Sequence, residues 1–213
     1  MSNTVSIGGQ ELSAAYGVEV TAVRISPPEA KTIYVDVPGM DGQLDMTEMF
    51  GYVRYNPREV VIEGILRGSY AAYSAALTAL ANAVDGQRLP MVLGWDAGYQ
   101  YQGRWAVESE KQDAYSAAVT ITGVCDPYKY KVPVTTATFS VATTQAVTLE
   151  NGRMPVAPTV TTDAEMQVVF GGATYTFSAG TRIAPGLILA EGENALTVNG
   201  TGSITFQYQE GDL

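Results

Sequence analysis

The residues closest to forming a reactive group are carboxylates: Asp41, Asp45 and Glu48 lie within one short stretch, and Glu108, Glu110 and Asp113 within another. Two carboxylates are enough for glycoside hydrolysis, so a catalytic pair is the chemistry to weigh. The competing reading is structural. A short carboxylate beside Gly42 bonds nearby backbone N–H groups and holds a turn, and this reading is preferred for Asp41 and Asp45. Calcium would need an Asp-x-Asp-x-Asp-Gly run with a later Glu, and that pattern is missing. The chain contains no histidine. That removes Ser-His-Asp and Cys-His catalysis together with His-based zinc sites. No Gly-rich loop ends in Lys-Ser or Lys-Thr to cradle a phosphate. The single cysteine, Cys125, cannot form an internal bridge and has no activating base. Trp95, Tyr99, Tyr101 and Trp105 gather on a predicted hairpin and could present a surface aromatic patch to a sugar ring. Packing in a core or interface explains the same residues and is preferred. No catalytic residue, cofactor or metal is assigned.

The elements that would position these groups are mainly strands. Val18 to Ile25 alternates and stops at Pro27-Pro28; Lys31 to Val37 alternates again, with Ile33, Val35 and Val37 on one face. Pro38-Gly39 and Asp41-Gly42 supply turn chemistry, and Val60 to Leu66 forms another strand. Lys31–Val37 and Val60–Leu66 are the firmest of these. Ser69 to Val84 differs: Tyr73, Leu77, Leu80 and Val84 recur at helical spacing, with Ser69 placed to cap the start and Gly86 the end. Its apolar stripe is expected to pack on a sheet. Met91–Trp95, Tyr101–Val107 and Ala117–Val124 return to strand patterning.

After Asp126-Pro127 the pattern changes to a second unit without a convincing helix. Its expected strands are Phe139–Val141, Ala146–Leu149, Thr159–Thr161, Met166–Phe170, Thr174–Phe177, Ile183–Leu189, Ala195–Val198 and Ile204–Tyr208. Turn pairs such as Asn151-Gly152 and Gly171-Gly172 separate them, which argues for a β-sandwich of about eight strands. The boundary is set at residues 1–132 and 133–213.

The net charge is −10, and each part carries −5. Tight binding to nucleic-acid phosphates needs clustered Lys and Arg, which this balance does not offer. A like-charged wall would instead keep passing DNA from sticking. Apolar runs are far shorter than the roughly 20 residues that span a bilayer. Met1 to Gly9 has neither a charged nor an apolar leader region, so no secretory signal is expected.

Two stretches carry a family resemblance. One is Val37-Pro38-Gly39-Met40-Asp41-Gly42-Gln43-Leu44-Asp45-Met46-Thr47-Glu48, continued by Gly51-Tyr52-Val53-Arg54-Tyr55-Asn56-Pro57-Arg58. It resembles the turn, "DG-LD-T" run and Tyr-x-x-Arg of distal tail proteins from siphophages of Gram-positive hosts. The other is the ending, from Gly192-Glu193-Asn194-Ala195-Leu196 through Gly200-Thr201-Gly202-Ser203 to Glu210-Gly211-Asp212-Leu213. Between them, Asp126-Pro127-Tyr128-Lys129-Tyr130 sits where that family places its junction. The resemblance spans nearly the whole chain.

The resemblance implies a fold: an N-terminal tail-tube-like β domain, a sandwich or barrel with one helix near 69–85, followed by a C-terminal galectin-like β-sandwich. It also implies a non-enzymatic role, as a structural subunit of a phage or prophage tail tip. Such proteins form a hexameric ring hub between the tail tube and the host-adsorption apparatus, and DNA passes through without being specifically bound. Implied partners are further copies of the chain, the tail tube, tail-associated lysin or tail-spike-type proteins, and receptor-binding or baseplate proteins, with no membrane. The implied location is the virion tail tip, after assembly in the host cytoplasm. An intersubunit arm is expected between Ile33 and Val61, carried by Asp41, Leu44, Met46, Met49, Phe50, Tyr52 and Tyr55. Alternatives are a tail tube subunit of the same superfamily, or a carbohydrate-binding module that uses the aromatic patch on host wall polysaccharide. The second unit has no Trp and no His, so the galectin-like fold does not bring sugar binding with it.

Overall fold

The computed structural model describes residues 4–213; the first three residues of the Met1–Gly9 stretch lie outside the described residues. The chain divides into one compact unit ending at Lys129 and another from Tyr130 to Asp212.

The first unit contains β1 (Val5–Ile7), β2 (Gln10–Glu11), α1 (Leu12–Tyr16), β3 (Glu19–Ile25), β4 (Tyr34–Val35), β5 (Leu44–Asp45), β6 (Arg58–Arg67), α2 (Tyr70–Val84), β7 (Arg88–Leu93), β8 (Tyr99–Lys111) and β9 (Ser116–Cys125). Its main sheet runs β2-β1-β7-β8-β9-β6-β3, each pair antiparallel. Period-two alternation decides which face is buried. Val60, Ile62 and Leu66 of β6 point inward beside Ala117, Val119 and Ile121 of β9, in a register that sets Ile62 opposite Ile121. The helix α2 lies on this face: Tyr73, Leu80 and Val84 are buried, and Leu77 packs beside them. Ser69 caps its start by accepting from Ala72 N at 3.4 Å.

Two expectations need correction here. The alternating run Lys31–Val37 is not a full strand. Only Tyr34 and Val35 pair, with Asp45 and Leu44, because every residue from 31 to 45 is exposed and no core rewards a longer ladder. The unit also has a second helix, α1, too short to show a helical period. It buries Leu12 and ends at Gly17, whose φ of 72° suits glycine.

The second unit is built from strands β10 (Lys129–Lys131), β11 (Thr135–Val141), β12 (Thr144–Asn151), β13 (Thr159–Thr162), β14 (Met166–Phe170), β15 (Ala173–Phe177), β16 (Gly180–Ile183), β17 (Gly192–Gly200), β18 (Gly202–Tyr208) and β19 (Gly211–Asp212). Two four-stranded sheets, β11-β18-β13-β16 and β12-β17-β14-β15, enclose Leu149, Met166, Val168, Leu187, Val198, Ile204 and Phe206. The expected strand Ile183–Leu189 ends at Ile183. Pro185 and Gly186 break it, and Leu187 N closes a turn on Ala184 O at 3.0 Å. Leu187 and Leu189 still reach the core, but from a loop.

Candidate functional site

Between β3 and β6 the chain leaves the main sheet as a long excursion that returns beside itself. Its base is closed by backbone bonds, from Lys31 N to Arg54 O at 2.7 Å and from Asn56 N to Glu29 O at 2.8 Å. Beyond that base, β4 and β5 form a two-stranded ribbon. Met46 N donates to Ile33 O at 2.8 Å, and Ile33 N donates to Thr47 Oγ1 at 3.1 Å. Gln43 Nε2 donates to Asp36 Oδ1 at 3.0 Å across the turn. Asp45 accepts from Thr47 N at 2.9 Å. Hydrogen bonds from the Thr47 side chain and then its backbone hold the Asp45 carboxyl below the usual carboxylate range. Asp45 is therefore bound up in a turn.

The apolar side chains of this arm lie outside both cores. Phe50 is 61% exposed and Met49 53% exposed, and Ile33, Tyr34, Val35, Val37, Met40 and Leu44 are also exposed. None belongs to either buried cluster. Exposed apolar side chains concentrated on one ribbon mark an interaction surface rather than scattered surface residues. Of the residues expected there, Asp41, Leu44, Met49 and Phe50 are exposed, while Met46, Tyr52 and Tyr55 are half-buried. Arg54 lies over the Tyr52 ring, 4.8 Å from its centroid. Tyr55 meets Tyr128 edge to face with centroids 5.9 Å apart, so it anchors the arm's return. From Thr32 to Val53 the charged residues are all acidic: Asp36, Asp41, Asp45 and Glu48.

The four aromatic residues of the expected surface patch are separated. Tyr101 and Trp105 are buried in the first core, and Trp105 Nε1 donates to Leu89 O at 2.9 Å. Burial raises the Tyr101 hydroxyl above its ordinary pKa. Tyr99 is half-buried with Lys129 Nζ 4.1 Å from its ring centroid. Of these four, only Trp95, in the turn after β7, is exposed. The reason is strand parity: Tyr99, Tyr101 and Trp105 occupy one face of β8, and that face is the core side. No flat aromatic platform forms from the set.

Of the carboxylates singled out in the sequence, Asp45 and Glu48 line one cavity together with Thr32, Thr47 and Val53. Among the described residues, no three His, Cys, Asp or Glu side chains group so as to hold a metal ion. Cys125 is buried, and burial pushes its thiol up to about 12.

A second surface feature escaped the sequence reading. A groove of about 590 Å³ opens on the first unit where β8 and β9 meet the α2–β7 turn, lined among others by Arg88, Arg104, Trp105, Ala106, Val124 and Asp126. Val124 is 59% exposed. Arg104 donates to Gly86 O at 2.6 Å, and Arg88 pairs with Asp126 at 2.7 Å. The available signal was Val124 itself, an apolar residue at the outward position of an alternating strand.

No protein-family model matches the chain, and no curated protein matches it. Among solved structures, the Dit (gp 19.1) protein of phage SPP1 superimposes with a TM-score of 0.71 at 18% identity, covering 97% of this chain and 98% of that one. The chain has the Dit fold. SPP1 Dit is described as a paradigm of the hub adsorption apparatus in phages that infect Gram-positive hosts. The tail of an empty GTA particle, in a C6-symmetric reconstruction, matches at a TM-score of 0.29 and 14% identity over 50% of this chain and 78% of that one. That value is too low to carry an argument. The likeness in fold extends over both units.

Proposed function

We propose that the chain is a distal-tail-type hub subunit of a phage or prophage tail tip, and that it assembles into a ring, as hexamers do in the family it resembles. The observation that carries this reading is the whole-chain likeness to SPP1 Dit, with 97% of this chain covered. A tail tube subunit fits less well, because it gives no role to the second unit. The exposed apolar arm supports the ring: a head-to-tail ring needs one face of a subunit to meet a different face of its neighbour. The role is structural, not enzymatic. The sandwich unit is the docking surface for tail tube, lysin-type, receptor-binding or baseplate proteins. DNA passes the hub without being held, repelled by a net charge of −10. The hub would sit at the virion tail tip.

The test is the solution mass by light scattering across a concentration series, with negative-stain images of the largest species. The expected result is a closed ring of about six subunits with a central hole. A strict monomer at high concentration, or long tubes, would overturn the hub reading.

A further inference from the structure

We infer that Asp41-Gly42, in the turn that joins β4 to β5, is a self-modification site, where the folded chain rearranges aspartate to isoaspartate. The inference goes beyond the hub reading and does not depend on it.

The reaction needs no enzyme and no oxidant. The Gly42 backbone nitrogen attacks Asp41 Cγ and an N–Cγ bond forms. One carboxyl oxygen leaves as water, taking the amide proton and the carboxyl proton with it. Water then opens the five-membered succinimide at either carbonyl. Breaking the new N–Cγ bond restores aspartate. Breaking the original peptide bond instead leaves the chain running through Cγ, which is isoaspartate. Three conditions favour this: a side chain free to turn onto the next nitrogen, a nitrogen that no other bond holds, and a following residue without a Cβ.

Four junctions place Asp or Asn before Gly: Asp41-Gly42, Asp85-Gly86, Asn151-Gly152 and Asn199-Gly200. Sequence alone ranks the asparagines first, because near neutral pH ammonia leaves an amide more readily than water leaves a carboxylic acid. The structure reverses that order. Asn151 is 6% exposed, and its Nδ2 donates to Met154 O at 2.8 Å and to Leu189 O at 3.2 Å. Asn199 lies in β17 between Thr144 and Gln167 of the strands on either side. Its Oδ1 accepts from Thr144 Oγ1 at 2.9 Å, and Gly200 N donates to Thr143 O at 2.7 Å. Asp85 Oδ1 accepts from Val107 N at 3.0 Å, and Gly86 N donates to Trp105 O at 2.8 Å. Asp41 and Gly42 are both exposed. Among the described residues, neither the Asp41 carboxyl nor the Gly42 N–H takes part in a hydrogen bond or ion pair. The space is open as well, since a Cβ on Gly42 would meet nothing within 4 Å.

Isoaspartate lengthens the backbone path of this turn by a carbon. That works against the brace from Gln43 Nε2 to Asp36 Oδ1 and against the pairing of Val35 with Leu44. The chemistry therefore loosens the ribbon that carries the arm's exposed apolar side chains.

The test incubates the full-length chain at physiological temperature and neutral pH and follows all four junctions by peptide mapping. Trypsin releases Asp41 in a fragment running from Thr32 to Arg54. Isoaspartate in that fragment separates by chromatography and is labelled by an isoaspartyl methyltransferase. It is expected to accumulate at Asp41 at least about tenfold faster than at the other three junctions, each of which must first open locally. In concentrated urea the order should reverse, with the asparagine junctions leading. Asp41→Glu, whose longer side chain forms no five-membered ring, should leave the fragment unmodified at that position. Modification led by Asn151 or Asn199 in the folded chain, or an order that urea does not change, would overturn the inference and leave the hub reading untouched.

Discussion

Arg58 donates to the carbonyl oxygen of Pro127 from Nε at 2.9 Å and from its terminal nitrogen at 2.5 Å. Arg58 is only 4% exposed, and its guanidinium lies over the Tyr101 ring, 5.6 Å from the centroid. Burial lowers its pKa from the ordinary arginine value. The Tyr-x-x-Arg segment Tyr55 to Arg58 is thus a clamp: Tyr55 meets Tyr128, and Arg58 holds Pro127. Replacing Arg58 with Met keeps the packed stem but removes both donors, so it is expected to cost about 2–4 kcal/mol. Chemical denaturation measures it. A loss below about 0.5 kcal/mol, the range of surface changes, would show that the clamp carries no stability.

Gly123 faces Trp105 across the β8–β9 ladder. A Cβ at that position would meet the indole at Cε3, 2.6 Å away. Gly123→Ala must therefore push the ring off its place and strain the hydrogen bond from Nε1 to Leu89 O. Overpacking of this kind costs about 1–3 kcal/mol. The expected readout is a lower melting temperature together with a red-shifted tryptophan emission as Trp105 becomes wetter. An unchanged spectrum would place the indole differently.

The sequence disclosed the helix and the long strands because they carry their own period. Tyr73, Leu80 and Val84 repeat at helical spacing and are buried; Val60, Ile62 and Leu66 alternate and are buried. It misled at Lys31–Val37 because alternation reports extended backbone, not a partner strand. It misled at Ile183–Leu189 because hydrophobicity reports burial, and Leu187 and Leu189 are buried from a loop. The aromatic set was readable in principle: Gln100, Gln102 and Arg104 alternate with Tyr99, Tyr101 and Trp105, which assigns the aromatic residues to the inner face. The groove was not readable, since it joins Arg88, Arg104 and Val124 from three strands.

Phe50 and Met49 project into solvent and touch neither core. Phe50→Ser or Met49→Ser is accordingly expected to leave monomer stability within about 0.5 kcal/mol of the parent. The same changes should lower the mass seen by light scattering. A large loss of melting temperature with unchanged assembly would mean that the arm serves folding and not association.

Cys125 ends β9 with 1% exposure, and burial is the main reason its thiol is pushed from 9.0 up to about 12. The folded chain therefore keeps the thiol protonated where the unfolded chain ionises. Its contribution to stability is complete below pH 9.0 and declines as pH rises from there toward 12. In the native protein a thiol-reactive dye should label it no faster at pH 9 than global unfolding allows. Rapid labelling of the folded chain would show that the groove wall opens.

Asp45 titrates in the opposite sense. Its folded carboxyl lies below 3.8 because Thr47 donates to the charged form from its side chain and from its backbone. The ribbon contribution is therefore fully present above 3.8 and is lost as pH falls through the depressed folded value. The carboxyl carbon resonance of Asp45 should move with a midpoint below 3.8. Thr47→Val, which removes the hydroxyl donor but keeps the backbone one, should bring that midpoint part of the way back. It should also loosen the ribbon, because Ile33 N loses its acceptor on Thr47 Oγ1. A midpoint unchanged by Thr47→Val would assign the depression to the backbone bond alone and detach the ribbon's geometry from the charge on Asp45.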